Sequence, residues 1–301
     1  MKIYLHLGFH KTASTMLQSM LATAKSRLSE QGVVDARSSE SERGVFRDLR
    51  WGFVALNNNF KTRKAEPLIR KTRELIGRAA EAGTKSLIIS DENFLGHPAS
   101  FHISTSGRAW FYRFSGQTAE VLRAATEGYD TEVMFVLRKQ ETLYSSHYMD
   151  GLRWLRYDIS LDRFAEMLFE TGPEKLRFDS LIAPWIAQFG VDHVRTMLFE
   201  NLIADPAGFV ADVEDWADLP RGTLVLPERK VNAAFGGYQA EMARRLHNEV
   251  KAGAPLKSSR RAVMAARPET DEEKAIPKPA FSPEMLAKIR ETFATDLAYQ
   301  P

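Results

Sequence analysis

The sequence contains no cysteine, and this absence excludes three kinds of site at once. A chain without thiols has no disulfide, no thiolate metal ligand and no cysteine nucleophile. Long apolar runs are also missing, because no stretch reaches the roughly 18 residues that a transmembrane helix requires. The first strand-like segment begins at the second residue, which leaves no signal peptide ahead of it. We therefore expect a cytoplasmic protein without a transmembrane segment.

An excess of one charge is absent as well. The 301 residues carry 41 basic and 39 acidic side chains, so the formal net charge is +2. A balance this close to neutrality provides no general attraction to nucleic acid, and we expect no nucleic-acid partner. The composition is otherwise that of a globular protein, and we expect a single domain over residues 1–301.

The most informative feature lies near the start of the chain. An apolar, β-prone run over residues 3–7 ends at Gly8, a polar loop follows, and apolar residues then recur at helical spacing over residues 16–21. A strand, a loop and a helix in this order can bind an anion, because the first helical turn has unpaired N–H groups and the positive end of the dipole. The loop adds one cation and three hydroxyls, namely Lys11, Thr12, Ser14 and Thr15. The sequence predicts a P-loop-like phosphate site.

The loop differs from that of nucleoside triphosphate-binding proteins. Their motif has a second glycine five positions after the first, followed by lysine and a hydroxyl residue. Counted from Gly8, these positions hold Ala13 and Ser14, and Lys11 comes three residues too early. We also find no apolar strand that ends in the paired acidic residues of a magnesium site. We expect no metal cofactor.

The segment Gly8–Thr15 resembles the 5′-phosphosulfate loop of sulfotransferases that use 3′-phosphoadenosine 5′-phosphosulfate (PAPS), and it is similar to the version in bacterial members. That family places lysine, small and hydroxyl residues between its first strand and first helix. The resemblance implies that PAPS is the cofactor and adenosine 3′,5′-bisphosphate the product. It also implies a set of cofactor-binding residues in the loop, namely His10, Lys11, Thr12, Ala13, Ser14 and Thr15.

A second motif strengthens the resemblance. Residues 133–137 form a continuous apolar run of the kind buried on both faces of a parallel sheet, and the run ends in Arg138. The family has an arginine at this place and a serine eight residues later, where this chain has Ser146. The resemblance implies that both bind the 3′-phosphate, since a guanidinium matches phosphate bidentately and a hydroxyl donates from another side.

Strand and helix patterns alternate along the chain, which indicates an α/β fold: a three-layer sandwich with a central parallel sheet flanked by helices. The expected strands are Lys2–Leu7, Ser86–Ser90, Glu132–Leu137 and Val194–Phe199. The expected helices are Ser14–Glu30, Ala65–Ala82, Gln117–Thr126, Leu161–Glu170 and Ser180–Phe189. Asp205 and Pro206 predict a further helix start. Residues 253–280 lack a core pattern, and we expect a flexible loop or lid there, followed by a C-terminal helix over 283–297.

The resemblance also implies roles at the reacting centre. Lys11 would stabilise the charge that develops on the leaving group. Glu92 follows the strand 86–90, near the point where related sequences have a glutamate, and is the candidate base that takes the proton of the acceptor. Three histidines, His10, His97 and His102, are rivals for that role. Asp91 is as readily explained as a helix cap or an ion-pair partner.

Some positions depart from the family pattern. Ala13 occupies a place where glycine is common, and Met16 occupies one where cytosolic relatives often have a tryptophan against adenine. The late basic loop that covers the 3′-phosphate has two candidate substitutes, Arg229–Asn232 and Lys257–Arg261. The sequence does not determine the class of acceptor, which is a small molecule, a carbohydrate or a lipid-linked alcohol. Two other functions also remain: a metal-dependent ATP phosphotransferase, and an inactive nucleotide-binding protein of the same fold.

Overall fold

The computed structural model describes residues 1–39, 43–58, 65–98, 112–228 and 235–299. The chain divides into two compact units, and the single domain expected from the sequence stays a prediction. The first comprises Met1–His97, Tyr112–Arg138 and Phe178–Val231, and the second comprises Pro98–Phe111, Lys139–Arg177 and Asn232–Pro301. Among the described residues, no helix combines the length and the apolar content that a membrane crossing requires.

In the described part of the chain, the strands are β1 Lys2–His6, β2 Val33–Asp35, β3 Ser86–Ser90, β4 Asp130–Leu137 and β5 Val194–Leu198. The helices are α1 Ser14–Thr23, α2 Lys25–Glu30, α3 Arg43–Asn58, α4 Ala65–Glu81, α5 Ser115–Ala125, α6 Gln140–Arg153, α7 Leu161–Phe169, α8 Phe178–Phe189, α9 Phe199–Ala204, α10 Pro206–Trp216, α11 Gly237–Lys251, α12 Leu256–Ala265, α13 Asp271–Ala275 and α14 Pro283–Phe293.

The first unit is built on a parallel sheet with the strand order β2-β3-β1-β4-β5. Its central strand, β1, pairs with β3 through Lys2 opposite Ser86 and with β4 through Lys2 opposite Asp130. All five strands are parallel, so the predicted α/β class with a central parallel sheet is confirmed. The four predicted strands are present. The sequence missed β2, because its three residues are too few to show a pattern.

Helices cover both faces of this sheet. On one face Tyr4 of β1 packs edge-to-face against Trp216 of α10, with ring centroids 5.3 Å apart. On the other face Phe135 of β4 packs against Trp185 of α8, also at 5.3 Å. Both tryptophans are buried. These two layers of helices sandwich the sheet, as the alternating pattern of the sequence predicted.

In its described part, the second unit consists of helices. Tyr144 of α6 packs edge-to-face against Phe293 of α14, and Ser282 caps α14 by accepting a hydrogen bond from the backbone N–H of Met285. The expected loop over 253–280 is wrong in its local structure, because the segment contains α12 and α13. Val263 of α12 is fully buried. The small and charged residues around it give the segment no apolar pattern that would predict a helix from the sequence. Movement of this segment stays a prediction.

Candidate active site

The predicted phosphate loop connects β1 to α1 at the carboxyl end of the sheet. Lys11 and Ala13 both adopt left-handed backbone conformations, with φ of 72° and 70°. Such residues bend the backbone into a concave arc whose N–H groups bind anions. The φ at Ala13 explains why glycine is common at this place, since glycine adopts it at no steric cost.

Internal hydrogen bonds hold the loop. The hydroxyl of the fully buried Thr12 donates to the backbone carbonyl of Phe9 at 2.5 Å. The backbone N–H of His10 donates to the hydroxyl of Tyr112 at 2.6 Å, and the two rings stack with centroids 5.9 Å apart. Burial raises the pKa of Tyr112, so this hydroxyl stays protonated. In this structure Thr12 and His10 shape the loop, while the exposed Thr15 is open to solvent on the first turn of α1.

At Gly8 the loop leaves no room for a side chain. A Cβ built on Gly8 would lie 2.7 Å from His6 Nε2 and 2.9 Å from Ser14 Oγ. The Ser14 hydroxyl is buried and has no hydrogen-bond partner among the described residues. A buried donor at the start of a helix, beside a concave backbone arc, suits an oxygen of a bound phosphate or sulfate group. The loop therefore fits the group that the sequence predicted.

Arg138, directly after β4, reaches the loop from the neighbouring strand. Its Nη1 donates to the backbone carbonyl of Lys11 at 2.9 Å, and its guanidinium lies over the ring of Phe199, 4.3 Å from the centroid. Burial lowers the pKa of Arg138, and the carboxylate of Glu200 opposes that shift. The structure thus brings Arg138 and the loop together. Ser146 lies on α6 of the second unit, so its predicted partnership with Arg138 stays a prediction.

Glu92 begins a short 3₁₀ helix, Glu92–Leu95, directly after β3. The backbone N–H of Asp91 donates to the carbonyl of His6 at 3.1 Å, which places this turn beside the end of β1. The carboxylate of Glu92 accepts a hydrogen bond of 2.8 Å from the side chain of Gln18 on α1. The candidate base and the loop therefore belong to one cluster at the carboxyl ends of β1 and β3.

Asp91 has both of the structural roles that the sequence suggested. Its carboxylate caps the 3₁₀ helix by accepting from the backbone N–H of Asn93 at 2.9 Å. It also forms ion pairs with Arg50 of α3 at 3.3 Å and with Arg37 at 3.6 Å, while itself fully buried. Burial raises the pKa of Asp91, the charge of Glu92 raises it further, and Arg50 opposes both.

The remaining candidates are two histidines and two basic segments. His97 is partly exposed two residues after the 3₁₀ helix, whereas His102 and the segment 229–232 fall outside the described residues. The other basic segment, Lys257–Arg261, lies on α12 of the second unit, where the Arg260 guanidinium stacks on Trp154 at 3.2 Å from the ring centroid.

Sequence reasoning missed the supporting residues of the cluster. Gln18 lies four residues after Ser14, so helical periodicity places both on one face, and this signal could have identified it. Arg37, Arg50 and Tyr112 come from distant segments, and the sequence contains no local pattern that joins them to Glu92.

A second group of ionisable side chains lies at the opposite edge of the sheet, where the strands begin. Asp130, Glu132 and His193 place possible ligand atoms within 4.8 Å of one another. The ammonium of Lys2 lies 3.9 Å from Asp130 and 3.7 Å from Glu132. The same ammonium also pairs with Asp218 at 3.0 Å, so the group is a salt-bridge network and carries no metal assignment.

No protein-family model and no curated protein matches the chain. Several solved structures match, and three of them are a sulfotransferase from Alicyclobacillus acidocaldarius (16% identity, 89% of this chain and 97% of that chain, TM-score 0.46), the sulfotransferase domain of the Synechococcus PCC 7002 olefin synthase (14%, 98% and 95%, 0.40) and the sulfotransferase domain from the curacin biosynthetic pathway (15%, 98% and 98%, 0.41).

These three structures are sulfotransferases, the family that the loop resembles in sequence. Identities of 14–16% and TM-scores of 0.40–0.46 transfer no residue role to this chain. The function of the cluster therefore has to be argued from the chain's own residues.

Proposed function

We propose that the chain is a sulfotransferase that moves a sulfuryl group from PAPS to a hydroxyl or amine acceptor. The observation that carries the proposal is the hydrogen bond from Arg138 to the loop carbonyl of Lys11. It joins the guanidinium of Arg138 to the backbone of the loop that contains Lys11, directly before α1, and a donor with several anionic groups would be bound by such cationic residues and a helix N-terminus.

Each part of the cluster suits one part of the donor. Lys11, the hydroxyls of Ser14 and Thr15 and the backbone N–H groups at the start of α1 would hold the 5′-phosphosulfate. Arg138 would hold the 3′-phosphate, and a role for Ser146 there stays a prediction from the sequence. A guanidinium presents its N–H donors as a planar fork, and this geometry matches the oxygens of a phosphate bidentately.

PAPS supplies the sulfuryl group and an adenosine bisphosphate leaving group. The chain itself then has two tasks, which are to stabilise charge on the bridging oxygen and to take a proton from the acceptor. Lys11 suits the first task because its ammonium is a cation, and the N–H groups at the start of α1 add the positive end of the helix dipole. Glu92 suits the second because its carboxylate is partly exposed at the same sheet edge.

The acceptor class stays broad. A partly exposed carboxylate can take a proton from a small-molecule alcohol, a carbohydrate hydroxyl, a lipid-linked alcohol or an amine. None of the steps assigned to Lys11, Arg138 or Glu92 calls for a metal, so we propose metal-independent transfer.

Calorimetric titration of the purified chain tests the proposal. We expect adenosine 3′,5′-bisphosphate to bind without metal, and more tightly than ATP with magnesium. Preference for magnesium–ATP would overturn the proposal in favour of an ATP phosphotransferase. Bisphosphate binding without transfer from PAPS to a broad panel of sugars, alcohols and amines would identify an inactive nucleotide-binding protein of this fold.

A further inference from the structure

Gln18 lies on α1, one helical turn after Ser14, and its side chain is 6% exposed. Its Nε2 donates to Glu92 Oε2 at 2.8 Å and to the backbone carbonyl of Ser90 at 3.3 Å. A carbonyl and a carboxylate are both acceptors, so the opposite amide orientation would direct Gln18 Oε1 at two oxygens. The amide group is thereby fixed, with its N–H groups directed at the end of β3 and at the candidate base.

We propose that Gln18 is the positioning residue that holds the Glu92 carboxylate in place for proton transfer, an inference that rests on the proposed role of Glu92. A glutamate side chain has three rotatable torsions, and a partly exposed one adopts several rotamers unless a partner restrains it. The hydrogen bond from Gln18 engages Oε2. Oε1 is therefore the oxygen that we assign to the acceptor proton.

The charged groups around Glu92 do not replace this contact. Arg37 and Arg50 are directed at Asp91, at 3.6 and 3.3 Å. Together with burial, the negative charge of Glu92 raises the pKa of the neighbouring Asp91. Burial and the same charge also raise the pKa of Tyr112, which precedes α5. Among these side chains, the uncharged amide of Gln18 is the group that donates a hydrogen bond to the Glu92 carboxylate.

The helix that positions Glu92 is also the helix that carries the phosphate loop. Ser14 and Thr15 form the first turn of α1, and Gln18 belongs to the next turn. A rigid helix therefore sets the distance between the bound sulfuryl group and the base. In-line transfer depends on that distance, and a displacement of about 1 Å can reduce a rate about 100-fold.

A double-mutant cycle tests the inference with Gln18→Met, Glu92→Gln and the combined variant. Methionine is close to glutamine in size but has no N–H groups. Turnover is measured as release of adenosine 3′,5′-bisphosphate from PAPS, with water and with a panel of sugar and aryl alcohols as acceptors. We expect Gln18→Met to lower kcat roughly 10- to 100-fold and to leave the bisphosphate Kd within about twofold. In the Glu92→Gln background the same substitution should change kcat by less than about twofold, because the group that it positions is gone.

Asn57 is the matched control. Its buried amide donates to the carbonyls of Phe53 and Phe94, so it also supports the 3₁₀ helix but does not contact Glu92. We expect Asn57→Leu to lower the unfolding midpoint in urea, and any loss of kcat that it causes should be the same in both backgrounds.

The possible results separate the two claims. An equal loss from Gln18→Met in both backgrounds would make Gln18 a purely structural residue and overturn the inference, while the role of Glu92 would stand. Full turnover by Glu92→Gln would remove both the base and its positioning residue. A wild-type chain that binds bisphosphate but releases none from PAPS would overturn the proposed function, and this inference with it.

Discussion

The guanidinium of Arg138 donates a hydrogen bond to the backbone carbonyl of Lys11 across 2.9 Å, although 127 residues separate the two along the chain. The bond connects the end of β4 to the loop that follows β1. Lys11 holds a left-handed backbone conformation, which costs a non-glycine residue roughly 1 kcal/mol. The bond to Arg138 helps to offset that cost, so the arginine acts on the shape of the loop as well as on its charge.

Arg138→Ala should therefore weaken the binding of adenosine 3′,5′-bisphosphate. We expect a loss of about 2–4 kcal/mol, or roughly 30- to 1000-fold in Kd, because a charged donor beside the anion disappears. Isothermal titration calorimetry measures the change. Arg78→Ala is the matched control, since Arg78 is an exposed arginine on α4 whose partner is Glu74 on the same helix. Equal affinity in wild type and Arg138→Ala would contradict the placement of a phosphate at this arginine.

Glu92→Gln should bind the bisphosphate normally and lose turnover. The amide of glutamine keeps an oxygen that can accept the hydrogen bond from Gln18, so the fold around it is retained. A general base contributes about 10²- to 10⁴-fold to a rate, and we expect a loss in this range for PAPS turnover. Glu81→Gln, at the exposed end of α4, controls for the loss of one negative charge. Unchanged turnover would remove Glu92 from the mechanism.

The local parts of this site could be predicted from the sequence, because strand, loop and helix patterns depend on neighbouring residues. The bounds of β1 and the start of α1 follow from such patterns. The aromatic segment around Phe53 shows little clean periodicity in the sequence, yet it forms α3. Four of its apolar residues are buried at helical spacing, namely Phe46, Leu49, Phe53 and Leu56. The exposed Trp51 between them obscured the period.

The rest of the site depends on tertiary contacts. Glu92 was placed by the strand before it, but its partner Gln18 is 74 residues away in sequence. The ion pairs of Asp91 likewise involve Arg37 and Arg50, which belong to different elements. The sequence shows that such side chains exist, and only the tertiary structure shows which of them meet.

The buried His6 predicts a specific dependence of stability on pH. Burial lowers the pKa of His6 from its ordinary value of 6.5 to about 3, and Ser90 is its hydrogen-bond partner at 2.8 Å. Below pH 6.5 the unfolded chain gains a proton at this imidazole while the folded chain does not, so the free energy of unfolding falls as the pH falls toward 3. The contribution of one such group is at most about 1.4 kcal/mol per pH unit.

Urea unfolding of the wild type and of His6→Gln, measured between pH 7 and pH 4, isolates this contribution. The carboxylates titrate in both proteins and cancel in the difference, whereas the imidazole titrates only in the wild type. We expect the wild type to lose stability faster than the variant as the pH falls. A difference that stays constant with pH would mean that the folded state protonates His6 as readily as the unfolded chain does.

Gly8 and Gly77 predict opposite effects for the same substitution. A Cβ at Gly8 would approach His6 Nε2 to 2.7 Å and Ser14 Oγ to 2.9 Å, so the loop must shift to accommodate it. Overpacking of this kind costs about 1–3 kcal/mol of stability, and displacement of Ser14 should also weaken bisphosphate binding.

Gly77 lies inside α4, and a Cβ there would meet no atom within 4 Å among the described residues. Gly77→Ala should therefore stabilise the chain by about 0.5–1 kcal/mol and leave ligand affinity unchanged, because alanine is the better helix former. Urea unfolding and calorimetry of both variants test the contrast, and a Gly8→Ala protein with wild-type stability and affinity would show that the loop accommodates a Cβ without displacing Ser14.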